Sequence, residues 1–238
     1  MASVASLRPG RTTYAGGHRE SVVVVFREAV TDSRAARNLA RAVARDVAIY
    51  DQSGCLSPQA VLYEDGAVPA TEFAGRLSEA LRDVAADLPA GRPDVESAAF
   101  LRAFADEARL EARIGRSSVF SPGLPAPLVV LRFPGIPYRP GPGHRVVQVL
   151  PFSGIPAFDR LLPGLEGRIQ GLALAGPRDR LAAAIGGRSA WTPCRACSPG
   201  RLQQPPAIWK ENGIVLTAEL GKGCYIPTSG NPFEISSW

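Results

Sequence analysis

The chain of 238 residues carries four cysteines and two histidines, and one of the cysteines stands in an unusual setting. Cys55 lies in "YDQSGCLSPQAVLYE", residues 50 to 64, directly after Gly54 and ringed by Gln52, Ser53, Ser57 and Gln59. A structural cysteine usually sits in an apolar run and packs as a small hydrophobe. This neighbourhood is small and polar instead. A turn of this kind can direct backbone N–H groups at a thiolate, or at an oxyanion forming beside it, which is what a nucleophilic thiol requires. The competing reading is an inert, buried thiol, and the local residues leave the two level.

Other candidate chemistry is weaker. Cys194 and Cys197, in "CRAC", have the spacing of half a zinc site. A structural zinc needs four ligands, and only Cys224 and the distant His18 and His144 remain, so the expectation is no metal. "YAGGHRES" (residues 14 to 21) pairs two glycines but is not GxGxxG and opens no helix. No Walker-type loop occurs. A cysteine hydrolase or acyltransferase would need a general base near Cys55, with His18 and His144 as the candidates.

Composition narrows the class. With 45% apolar and 21% charged residues, the chain reads as a soluble globular protein with room for one sizeable core or two small ones. No apolar run approaches the ~20 residues of a membrane span. "MASVASLRPGRTTY" has no secretory apolar stretch, so a cytoplasmic location and reduced cysteines are expected. The net charge of +5 comes from arginine, since lysine occurs only at Lys210 and Lys222. The arginines are scattered without interleaved aromatics, which argues against nucleic acid. They suit an anionic small molecule such as a phosphate-bearing cofactor, or more simply a solvated helix face.

The elements around Cys55 are legible. "SVVVVF" (21 to 26) reads as a central parallel strand, apolar on both faces. "TDS" (31 to 33) offers helix caps. Ala35, Leu39, Val43 and Val47 then recur every four residues, with Arg34, Arg37, Arg41 and Arg45 on the other side. Gly54 is the expected helix stop, and "AVLYE" (60 to 64) a second strand. Cys55 is thereby placed on the helix-to-strand connection of a βαβ unit. Helices follow over 70–87 and 95–113, then strands over 128–133, 145–152 and 168–176, and a short helix in "PRDRLAAAIGG". The alternation predicts a layered, mostly parallel α/β sheet covered by helices, over residues 21–190. Residues 1–20 read as a linker or the remnant of a preceding domain, and 191–238 as an irregular arm.

Together, "GGHRESVVVV", the arginine-rich helix and "DQSGCLSPQ" resemble the LuxC-type acyl-CoA reductases, within the aldehyde dehydrogenase superfamily. "CSPGRLQQPPAIWKENG" resembles that family's closing segment. The resemblance implies that Cys55 attacks an acyl-CoA thioester and holds the acyl group until hydride from NADPH reduces it to an aldehyde. It implies the Cys55 N–H as oxyanion donor, with Gln52, Ser53, Gly54 and Ser57 shaping the loop. Aligned on Gly16-Gly17, Tyr14 takes the place of the glutamate that activates water in aldehyde-oxidising relatives, which favours reduction. In that superfamily most of the nucleotide-binding domain precedes the catalytic one. The chain is therefore expected to correspond to a C-terminal catalytic half, with a homo-oligomer or a partner chain supplying the nucleotide-binding half. The alternative is a non-catalytic α/β subunit or remnant that docks to partner chains.

Overall fold

The computed structural model describes residues 19–121, 127–136, 138–161, 165, 169–186 and 195–206. Its centre is β1 (Glu20–Val25), buried along its whole length. The other strands are β2 (Pro58–Glu64), β3 (Ser117–Phe120), β4 (Leu128–Arg132), β5 (Val146–Phe152), β6 (Ile169–Ala175) and β7 (Arg195–Cys197). They form one sheet in the order β3-β4-β5-β2-β1-β6-β7. Every pairing is parallel except that of β3 with β4. This is the α/β architecture the sequence predicts.

Alternation along β1 splits its valines between two cores, as a strand's period of two requires. Val23 and Val25 pack with Val61 and Tyr63 under α1 (Ser33–Ala48) and α2 (Ala70–Asp87). Val22 and Val24 pack with Leu62, Leu150, Phe152 and Phe158 on the other face. That face is covered by α4 (Ile155–Asp159) and α5 (Arg178–Ile185). A third cluster seats Leu101 and Phe104 of α3 (Val95–Arg113) on Leu128, Val130 and Val146. Among the described residues, no helix is long and apolar enough to cross a membrane.

Asp32 caps α1 as expected, accepting from the Arg34 and Ala35 N–H groups at 2.8 Å. The four arginines of α1 are exposed. Its buried face, however, runs through Ala36, Ala40, Val43 and Val47, with Ala35 and Leu39 only at its margin. A strict four-residue repeat drifts by about 40° per step around a helix of 3.6 residues per turn. Such a series therefore cannot stay centred on one face. Strand β3 and helix α4 carry no periodic signal, being four and five residues long. A three-residue strand, β7, extends the sheet inside the segment expected to be irregular.

Candidate functional site

Helix α1 ends at Ala48, and the chain reverses before it reaches Gly54. Tyr50, Asp51 and Gln52 take left-handed backbone, with φ of 59°, 48° and 65°. Such geometry costs a non-glycine residue about 1 kcal/mol or more. Gly54 is therefore not the stop that its residue type suggests; the reversal falls earlier and is held by contacts. Asp51 supplies most of them. Its Oδ1 accepts from Nε and Nη2 of Arg145, both at 2.6 Å, and its Oδ2 from the Gly91 N–H at 2.7 Å. The Asp51 carbonyl accepts from the His144 N–H at 3.0 Å.

His144 and Arg145 are also left-handed, with φ of 50° and 64°. Among the described residues, these two segments hold all five non-glycine residues of positive φ. They lie against each other at the N-terminal ends of β2 and β5. Gln52 bolts them together: it is 2% exposed, and its Nε2 donates to the carbonyls of Pro58 and Val146, each at 2.8 Å.

Cys55 follows this reversal and is exposed, which removes the reading of a buried, packed thiol. Its turn is closed by the Ser57 N–H, which donates to the Gly54 carbonyl at 2.9 Å. The Ser21 hydroxyl, from β1, donates to the Cys55 carbonyl at 2.8 Å. In a trans peptide the C=O and the following N–H point opposite ways. Ser21 therefore also fixes the direction of the Leu56 N–H. Leu56 is buried beneath the turn beside Leu202 and Gly171. Ser57 is buried too, and its Oγ accepts from Gln203 Nε2 at 2.7 Å. Ser53 is exposed.

The segment 198–206 clasps the turn from behind. Asp46, buried on α1, accepts from the Gly200 N–H at 2.6 Å and the Leu202 N–H at 3.1 Å. Burial pushes its carboxyl up to about 6, against the opposing pull of the N–H donors of Gly200, Leu202 and Gln203. The Asp46 carbonyl accepts from Gln203 Nε2 at 3.2 Å, so one side chain ties helix, turn and strap. Cys197, in β7, is half-buried, and burial raises its thiol to about 11.

Beside the turn lies a cleft of ≈ 200 Å³, lined by Glu20, Gln52, Ser53, Gln59 and residues 140–143. Glu20 is 1% exposed and its carboxylate accepts from the Tyr138 hydroxyl. Gln59 Nε2 donates to the Gln52 carbonyl at 3.3 Å. The Oε1 atoms of both glutamines are buried and, among the described residues, accept no hydrogen bond.

The structure thus brings Gln52, Ser53, Gly54, Cys55 and Ser57 into one turn. The residues that hold the turn were not singled out from sequence: Ser21, Asp46, Asp51, Arg145 and Gln203. Gln203 sits in the "GRLQQPP" stretch of the family resemblance, and Asp46 interrupts an otherwise apolar helix face. Both were available as signals. His144 lies in the left-handed segment that faces the reversal, and hydrogen bonds from Ser97 lower the Asp94 carboxyl. Tyr14, Gly16, Gly17, His18, Cys194 and Cys224 lie outside the described residues.

A helix N-terminus binds a dinucleotide's phosphates through its free N–H groups. In α1, α2 and α3 those groups already bond to carboxylates, namely Asp32, Asp65 (Ala70 N–H, 2.9 Å) and Asp94 (Ser97 N–H, 2.7 Å). A second anion there meets like charge. These three helix starts do not fit a nicotinamide dinucleotide's pyrophosphate.

A mostly parallel seven-stranded sheet with a clasped cysteine turn at the N-terminal ends of its central strands defines an aldehyde-dehydrogenase-like α/β fold. The aldehyde dehydrogenase KauB from Pseudomonas aeruginosa superposes with a TM-score of 0.54 at 13% identity, over 77% of this chain and 38% of its own. An NAD-dependent benzaldehyde dehydrogenase from Corynebacterium glutamicum gives 0.52 at 15%, over 77% and 40%. A mutant of the 1-pyrroline-5-carboxylate dehydrogenase from Thermus thermophilus gives 0.53 at 14%, over 82% and 39%. The chain thus spans well under half the length of these enzymes, and the likeness is one of fold. The chain belongs to the LuxC acyl-CoA reductase family, which matches residues 2–201. No curated protein sequence matches it.

Proposed function

We propose that this chain carries the acyl-transfer step of an acyl-CoA reductase, with Cys55 as the acyl acceptor. Family membership supports the reaction class. The observation that carries the assignment is that the strained backbone of the described residues converges on the segment leading into an exposed cysteine. Strain of this kind persists where the surroundings over-determine it, and it clusters at functional sites.

The Cys55 sulfur attacks the thioester carbonyl carbon; the carbon–sulfur bond to CoA breaks, and CoA leaves as its thiol with the proton that Cys55 gives up. The Cys55 N–H is the donor assigned to the transient oxyanion, in a turn whose geometry Ser21, Ser57 and Gln203 hold. Gln52 and Asp51 set the approach of the chain to the sulfur. Reduction of the enzyme thioester to an aldehyde, with hydride from NADPH, is what the family reading adds. No described residue is assigned to that step. Tyr14, replacing a water-activating carboxylate, suits a thioester that must outlast hydrolysis.

Incubating the protein with a long-chain acyl-CoA and measuring its intact mass is the test. One acyl adduct, mapping to Cys55 and absent from Cys55→Ala, is expected. Limiting alkylation near neutral pH should label Cys55 before Cys197, and acyl-CoA should protect it. An adduct that survives in Cys55→Ala removes the assignment.

A further inference from the structure

We infer that the cleft beside the cysteine turn is a subsite for amide N–H groups, and that its occupant is the pantetheine arm of the incoming thioester. The inference rests on the acyl-transfer reading and names the part of the substrate that the site grips.

The lining is rich in hydrogen-bond acceptors. Gln52 Nε2 sits between two carbonyl oxygens, so rotating its amide by half a turn would press oxygen against oxygen. Its Oε1 is therefore fixed as the uncommitted atom, on a side chain that is 2% exposed and lines the cleft. Gln59 repeats the arrangement, with its Nε2 spent on the Gln52 carbonyl and its Oε1 without a donor. Glu20 also lines the cleft, but its carboxylate is engaged by Tyr138, so the two amide oxygens are the acceptors at issue. The far wall contributes few donors, because Pro140 and Pro142 have no N–H. Buried acceptors left unmatched cost about 1–3 kcal/mol each. A ligand that brings N–H donors recovers that cost, whereas an anion would add to it.

Reach agrees. Ser53 lines the cleft and precedes Cys55 by two residues, a backbone span of at most about 7 Å. Pantetheine carries its first amide two methylenes from sulfur and a second amide further along the same arm. An arm attached at Cys55 can therefore lay an amide in the cleft.

Thiol–disulfide exchange tests the cleft without any acyl transfer. The Cys55 thiolate attacks one sulfur of a symmetrical disulfide, the S–S bond breaks, a mixed disulfide forms and the other half leaves as thiol. The full chain is equilibrated with pantethine, 2-hydroxyethyl disulfide or cystamine in a fixed thiol buffer, and the Cys55 adduct is quantified by mass. Two ordinary hydrogen bonds correspond to about a tenfold preference for pantetheine over hydroxyethyl.

Gln59→Leu, which removes one acceptor together with the Nε2 bond to the Gln52 carbonyl, should cut the preference to about threefold. Gly141→Leu tests the space itself. Gly141 lines the cleft, and a Cβ there would come no nearer than 3.8 Å to its neighbours, so the backbone has room for a side chain. That variant should abolish the preference, and it decides the matter if Gln59→Leu fails to fold. Equal exchange of pantethine and hydroxyethyl disulfide in the wild type overturns the inference. So does a cystamine adduct favoured over pantetheine, which would make the cleft a cation site. Suppression of the preference by free nicotinamide would assign the amide donors to a different molecule and overturn the pantetheine assignment. Loss of acyl transfer with the preference intact would sink the acyl-acceptor reading alone.

Discussion

Gly171 and Gly176 mark the two ends of β6, and neither has room for a methyl group. At Gly171 a Cβ would meet the Ser21 hydroxyl at 2.6 Å and the tips of Leu56 and Leu202 at 3.0 Å. Those atoms seat the cysteine turn. At Gly176, where φ is +127°, a Cβ would meet Phe26 at 2.8 Å, beneath an ion-pair cluster. In that cluster the Glu64 side chain is fully buried and accepts from Arg27 and Arg180, with contacts of 2.7 to 3.1 Å. Arg180 also bonds Glu28 at 2.8 Å and lies 4.5 Å from the Phe26 ring. One end of the sheet spends its polar groups on one another. The other keeps strained backbone, an exposed thiol and two unmatched amide oxygens. Polar residues at an edge are thus not a sign of function in themselves; the difference lies in whether their bonding capacity is used up.

Substituting the two glycines is the most forceful way to break that contrast. Gly176→Ala should cost about 3 kcal/mol or more, since overpacking and a disfavoured φ act together. Gly171→Ala should cost about 2–3 kcal/mol by overpacking alone. Urea unfolding measures both. Alkylation of Cys55 under native conditions should slow several-fold in Gly171→Ala and stay unchanged in Gly176→Ala. Equal slowing in the two variants would mean that the ends of the sheet are not independent.

The same contrast should appear in the pH dependence of stability, at somewhat smaller size. Burial alone would raise the Glu64 carboxyl, but hydrogen bonds from Arg180 and Arg27 outweigh it and hold the group at about 2. Its folded value is below the unfolded one, so its contribution is present above about pH 4.5 and is lost as pH falls toward 2. With its arginine partners partly exposed, about 2 kcal/mol is a fair magnitude. Asp46 has the opposite sign. Its folded value, raised to about 6 by burial, gives stability that is full below about pH 4 and lost as pH rises through 6. The size is again about 2 kcal/mol. Unfolding free energies from pH 2 to 8 should therefore lose their acid limb in Glu64→Gln and their decline between pH 4 and 6 in Asp46→Asn. A wild-type profile without that decline would show that the strap's N–H groups outweigh burial at Asp46.

Most of the layered fold was legible because long apolar strands and capped helices signal themselves locally. β1 is a run of four valines, and Asp32 stands where a cap is needed. The position of Cys55 followed from that frame. Its supports did not. Asp51 finds Arg145 across 94 residues of chain, and Asp46 finds Gly200 and Leu202 across more than 150. Such pairings arise from strand order, with β5 beside β2 and β7 beyond β6, which local patterns do not encode. The left-handed reversal was misplaced for a related reason. Gly54 advertises the conformation through its side chain, whereas Tyr50, Asp51 and Gln52 are forced into it by tertiary bonds.

The mildest test asks whether that reversal is strained as its dihedrals say. Tyr50 is 70% exposed, so its ring contributes little burial. Its φ of 59° disfavours any side chain, and glycine adopts it without steric cost. Against that, glycine gives the unfolded chain more freedom, worth about 0.5–1 kcal/mol. The two effects nearly cancel. Tyr50→Gly should leave stability within about 0.5 kcal/mol of wild type, where loss of an aromatic side chain ordinarily costs far more. Asp51 and Gln52 would keep their bonds, so the rate of Cys55 alkylation should also hold. A loss of 2 kcal/mol would mean that the Tyr50 ring, which lies 3.6 Å from the Cβ position of Gly54, braces the cysteine turn. The turn would then owe its shape to packing, and strain would cease to distinguish the two ends of the sheet.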